Sequence, residues 1–163
     1  MDKITALLLW LLPISLSLHV VEEFFLPGGF IEWYHSYRPK FAKTKTSYYV
    51  VVNAILIAAS FTIPISHKGS DIYHIFLVVC GWLSGNAIFT HIWGAIKTRR
   101  YSPGVAVGSV LILPLSIFSY VYFIKSGTVD LFSALVCAAV CPLLEILFAT
   151  AKKPGMKNES VKI

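Results

Sequence analysis

Charge is what this chain has least of. Only 13% of its 163 residues are Asp, Glu, Lys or Arg, against 56% hydrophobic, with a mean hydropathy of +0.72. A soluble domain carries about 25% charged residues, and a disordered chain is poorer still in apolar ones. Both classes are excluded. Cysteine is scarce as well: Cys80, Cys137 and Cys141 are the only three, all inside apolar runs, so no disulfide framework is expected. Cys137 and Cys141 share a helical face and read as small packing residues rather than a soft-metal pair. The 10 glycines and 8 prolines form no repeat, which excludes collagen-like and low-complexity architectures. Gly28-Gly29 and the two Gly-x-x-x-Gly spacings (81/85 and 104/108) lack a nucleotide-loop context, so no nucleotide cofactor is expected; the spacings read as close helix contacts. Acidic residues number 8 against 14 basic ones, but the bases sit in short gaps between apolar runs. That is the pattern of membrane flanks, and nucleic acid is not expected as a partner.

Five apolar runs are present, at about 5–26, 47–65, 72–96, 104–124 and 129–151, each long enough to cross a ~30 Å hydrocarbon core as a helix. They predict an all-α integral membrane protein: one transmembrane helical domain over residues 1–163, a bundle of about five spans. The first run is not read as a cleaved signal, because His19, Glu22 and Glu23 stand where small residues would be needed. With five crossings, Arg38, Lys40, Lys43, Lys45, Lys97, Arg99, Arg100, Lys152, Lys153, Lys157 and Lys162 share one side, leaving Lys3, Lys68 and Lys125 on the other. Positive residues stay cytoplasmic, so the N-terminus is expected outside and the C-terminus inside a plasma (inner) membrane. Phe30, Trp33, Tyr34, Tyr37 and Phe41 recur at helical spacing after the Pro27-Gly28-Gly29 break. They predict either an interfacial amphipathic helix at 28–43 or an irregular loop with an aromatic belt.

Ionisable groups inside a span cost about 2.5–3.5 kcal/mol each at its centre. Here His19, Glu22 and Glu23 fall in the first run, His91 in the third and Glu145 in the fifth, with amides at Asn53 and Asn86. Counting 1.5 Å per residue from the cytoplasmic ends puts His19, Asn53, His91 and Glu145 roughly 9–11 Å deep, with Glu22 and Glu23 shallower and Asn86 deeper. Groups scattered for packing have no reason to share a depth. His19 also meets Glu22 at i+3 and Glu23 at i+4, so an imidazole and a carboxylate lie on one helical face. Tyr101 and Arg100 read as boundary anchors, and His35, His67 and His74 as solvated. Trp82 and Trp93 read as interface or helix-contact residues, and neither is assigned a binding role.

His19-x-x-Glu22-Glu23 resembles the motif that names a family of small bacterial integral membrane proteins of unknown function. Asn86 and His91 correspond to a later Asn and His of that family, and Tyr101, Pro103 and Gly104 to a Tyr-x-Pro-Gly element. The resemblance spans nearly the whole chain and implies a membrane enzyme without an established reaction.

From the residues themselves, His19, Glu23 and His91 are the candidate metal ligands, with Glu22, Glu23, Glu145 and Asn86 as candidate catalytic groups. Two histidines and a carboxylate suit zinc or non-haem iron. Such a site would perform hydrolytic or oxidative chemistry on a lipid or other lipophilic molecule. The same residues without metal offer acid–base chemistry for an isomerase or cyclase. A proton or solute pathway, and plain structural pairing within the bundle, are the non-enzymatic readings. Membrane lipids are the expected surroundings, and a homo-oligomer is compatible with the small size.

Overall fold

A computed structural model describes residues 2–66, 69 and 71–150, of which 140–142 and 144–150 are described by backbone alone. Among the described residues the chain is all-helical, without strands. Helix α1, Lys3–Phe24, starts where the Asp2 carboxylate accepts the Thr5 N–H at 2.9 Å, satisfying one of the donors a helix start leaves open. It stops at Phe24 because Gly28 and Gly29 both adopt positive φ, at 74° and 82°. At position 28 glycine is required: a Cβ there would lie 2.9 Å from the Phe24 carbonyl oxygen.

Of the two readings of residues 28–43, a helix rather than an irregular loop is present, but it is short. Helix α2 covers Phe30–Tyr37 rather than 28–43. Arg38 precedes Pro39 and takes an extended φ of −126°, as the steric demand of a following proline requires, and a single 3-10 turn, Pro39–Phe41, follows. Helices α3 (Thr46–Ile65), α4 (Asp71–Thr98) and α5 (Val105–Lys125) follow, then α6 (Leu131–Thr150), which occupies the fifth apolar run. Among the described residues α1, α3, α4 and α5 are long and apolar enough to cross a membrane. Both α4 and α5 are interrupted by wider π turns, at Ala87–Ile92 and Gly108–Ile112.

The core lies where α1, α4 and α5 meet, around Leu9, Leu12, Phe76, Leu77, Ile112 and Phe123. Small residues let the backbones close in. At Gly81 an added Cβ would lie 3.1 Å from the Cys137 carbonyl oxygen on α6, and at Gly108 it would lie 3.2 Å from the Ala87 Cβ on α4. Helix α3 is the outlier, burying only Ser60, Ile63 and Pro64, and it stands against α1 at the edge of the bundle. Large apolar side chains such as Leu7, Ile55, Val110 and Ile117 face outward and are more than half exposed, which suits a hydrocarbon surround and not water.

Candidate functional site

Three of the predicted residues converge. His19 and Glu23 stand one turn apart on α1, and His91 comes from the π turn of α4. The Glu23 Oε1 lies 3.5 Å from His19 Nε2 and 3.2 Å from His91 Nε2. The imidazoles meet edge to face at 4.8 Å between centroids. All three side chains are buried, and one candidate ligand atom from each lies within 4.8 Å of the others. Beyond the long Glu23 contact, neither nitrogen of His19 has a hydrogen-bond partner, a costly state for a buried polar ring.

The adjacent carboxylates divide their work. Glu23 enters the cluster, whereas Glu22 reaches across to the start of α5. There its oxygens accept the Ala106 N–H at 3.0 Å, the Val107 N–H at 2.7 Å and the Tyr101 hydroxyl. Unpaired N–H groups and the positive end of the helix dipole make a helix start a natural seat for a carboxylate. Glu22, expected among the catalytic groups, thus clamps α1 to α5. Tyr101 is not a free boundary anchor but the third donor to that clamp. Its burial, and then the hydrogen bond and charge of Glu22, push its phenol up to about 12.

Asn86 approaches His91, with Nδ2 at 3.3 Å from Nε2, while His91 Nδ1 faces Ser102 Oγ at 3.1 Å. Asn53 faces the same space from α3. That space is a cavity of about 170 Å³ among α1, α2, α3 and α4, lined by His19, Glu23, Tyr49, Asn53, Trp82 and Asn86 among others. Glu145, expected in this layer, and Cys141 lie outside the described side chains, as His67 lies outside the described residues. His35 and His74 differ from expectation: both are half-buried, His35 against the Tyr49 ring at 6.1 Å. Trp82 lines the cavity, whereas Trp93 is 58% exposed on the outer face.

Several residues were not expected in the cluster, although Gly104 belongs to the Tyr-x-Pro-Gly element. Phe30 and Trp33 roof the cluster, with the Trp33 ring nearly parallel to His91 at 13° and 6.1 Å. This roof sits tightly because α4 carries Gly94 beneath it; a Cβ there would fall 2.6 Å from Trp33. Gly104, at φ 100°, floors the cluster, and a Cβ would lie 2.6 Å from His91 Cε1 and 2.7 Å from His19 Cε1. Helical spacing hinted at Phe30 and Trp33; the Ser102 contact had no periodic signal.

No curated protein and no solved structure matches this chain. A family model described as a protein of unknown function with HXXEE motif matches residues 10–119, which takes in the whole cluster from His19 to Gly104. With two-thirds of its length inside that match, the chain belongs to the HXXEE-motif family of proteins of unknown function.

Proposed function

We propose that this protein is a bacterial plasma-membrane enzyme in which His19, Glu23 and His91 hold a divalent metal ion and act on a lipid or other lipophilic substrate. The observation that carries this reading is the convergence of three buried ligand atoms within 4.8 Å, one ring of which has no other partner for either nitrogen. A zinc or iron ion bound by two histidines and one carboxylate keeps an open position for water or a substrate oxygen, and supplies Lewis acidity there.

The chain's own residues do the rest. Phe30 and Trp33 cover His91 and exclude water, which strengthens every polar interaction beneath them. Asn86 and Asn53 present amides to whatever enters the cavity. A volume of about 170 Å³ is close to that of an engineered cavity of about 150 Å³ that accepts a benzene ring. It suits the reacting end of a lipid whose chain stays in hydrocarbon between the helices. Leu16, Leu56 and Leu83 supply its apolar walls. The Lys and Arg distribution supports a cluster near the cytoplasmic leaflet with the N-terminus outside.

Elemental analysis of protein purified in mild detergent tests the metal. A stoichiometric zinc or iron content in the wild type, lost in His19→Ala and His91→Ala while the helical signal is kept, is the expected result. Wild type free of metal after purification and after incubation with zinc or ferrous iron would overturn it and leave acid–base chemistry by Glu23 and the histidines. Orientation is tested separately: a C-terminal reporter active only outside the cytoplasm would refute the assigned sidedness.

A further inference from the structure

The loop between α4 and α5 touches α1 beside the cluster and then the cluster itself at two points. Tyr101 donates to Glu22 on α1, Ser102 faces His91 on α4, and Gly104 lies under both imidazoles. Ser102 is fully buried, and its carbonyl already accepts the Val105 N–H. Its hydroxyl lies 3.1 Å from His91 Nδ1. A hydroxyl can donate or accept, so the direction of that bond depends on the other ring nitrogen.

His91 Nε2 faces two groups, the Asn86 Nδ2 at 3.3 Å and the Glu23 Oε1 at 3.2 Å. An amide nitrogen only donates and a carboxylate only accepts, so Asn86 favours a lone pair on Nε2 and Glu23 a proton there; a metal ion on Nε2 requires the lone pair, and with it the ring proton on Nδ1. Ser102 Oγ then accepts that proton. The same assignment sets the Nε2 lone pair opposite a carboxylate oxygen, and two acceptors at that separation repel unless a cation lies between them. His19 has no such partner on either nitrogen, so the two histidines are held differently.

We infer that Ser102 is the positioning residue of the cluster: by accepting the Nδ1 proton of His91 it fixes the tautomer whose Nε2 lone pair points at Glu23, ready for a metal ion. The inference rests on the metal reading above. Trp33 and Gly104 limit tilting of the ring, and Ser102 decides which nitrogen is free. Partners of this kind on metal-binding histidines typically change affinity by about 10–100-fold when removed.

The test uses the full chain in detergent micelles with cobalt(II) as the probe, in wild type and Ser102→Ala. Cobalt binding in Ser102→Ala is expected to weaken about 10–100-fold while the helical signal and thermal midpoint stay close to wild type. Nitrogen-15 spectra of histidine-labelled, zinc-loaded wild type should show His91 protonated on Nδ1 and bound to zinc through Nε2. Unchanged cobalt affinity in the variant, or a wild-type His91 protonated on Nε2, overturns the inference. Should wild type bind no cobalt, zinc or iron at all, the metal reading fails. The wild-type tautomer then still decides whether Ser102 accepts the Nδ1 proton. Should Ser102→Ala fail to fold, the zinc-loaded wild-type spectrum is decisive.

Discussion

Gly104→Ala is the sharpest perturbation of the cluster, because two separate penalties fall on one methyl group. The first is backbone: φ is 100°, a region that costs an L residue about 1–2 kcal/mol. The second is steric. The new Cβ would stand 2.6 Å from His91 Cε1, 2.7 Å from His19 Cε1 and 2.9 Å from His91 Nδ1. Carbon atoms in favourable contact are about 3.5–4.0 Å apart, so both rings must retreat by roughly 1 Å. His91 has little room to do so, lying under Trp33 and against Ser102. Overpacking of this kind typically costs about 1–3 kcal/mol, giving about 2–5 kcal/mol in all. Gly127→Ala is the control: φ is 69°, and no atom lies within 4 Å of its Cβ, so only the backbone penalty applies. Equilibrium unfolding in mixed micelles measures both variants, and metal binding reports the ring displacement. A Gly104→Ala protein no less stable than Gly127→Ala, with unchanged metal affinity, would refute the steric argument.

Three further predictions concern groups at the ends of the helices. Glu22→Ala leaves the Tyr101 hydroxyl and the N–H groups of Ala106 and Val107 without their acceptor, and should cost about 2–4 kcal/mol in the same unfolding assay. Glu22→Gln keeps an acceptor but removes the charge, so the Tyr101 phenol should fall from about 12 partway toward its ordinary value, burial being the larger cause. Carbon-13 titration of labelled tyrosine reads this, and an unmoved Tyr101 would contradict the clamp. At the start of α1, the Thr5 hydroxyl and N–H, followed by the Tyr122 hydroxyl, hold the Asp2 carboxyl well below the usual carboxylate range. Its contribution is therefore complete above about pH 4 and lost as pH falls through the folded-state value. Thermal midpoints of wild type should drop over that acid range more than those of Asp2→Asn; parallel profiles would exclude the cap as the cause.

How far the sequence reveals the cluster depends on which geometry relates its members. His19 and Glu23 are legible because i and i+4 share a face on any α-helix. His91 is legible because rise per residue converts position into depth, and polar groups on different spans at one depth have reason to meet. The division between Glu22 and Glu23 is not. Adjacent residues point about 100° apart, and which one turns inward depends on where α5 begins, a tertiary fact. Tyr101, Ser102 and Gly104 lie in a loop that the positive φ of Arg99, 53°, and of Gly104 fold back against the helices. Such a return leaves no periodic trace in the sequence. Pro39 shortens α2 in a way its aromatic spacing alone does not show, because the spacing continues to Phe41 while the residue before proline cannot stay helical.

The pairing of Asn86 with His91 shows the same limit most clearly. The two are five residues apart, and an α-helix turns about 100° per residue, so α geometry would set them about 140° apart around the axis. They touch nonetheless, at 3.3 Å, because Ala87–Ile92 is a π turn that widens the helix and brings position i+5 back toward position i. The Trp93 N–H, which bonds the Ile88 carbonyl five residues back, records that wider ladder. Opposite it, α5 carries its own π turn at Gly108–Ile112, and Gly108 lies against Ala87 with no side chain between them. The two widened turns thus meet beside the cluster, where ordinary helices would have buried Asn86 and His91 on separate faces. A polar pair that α periodicity would separate is therefore assembled by a local departure from it. The departure falls beside the buried histidines, where an unpaired polar group would cost most.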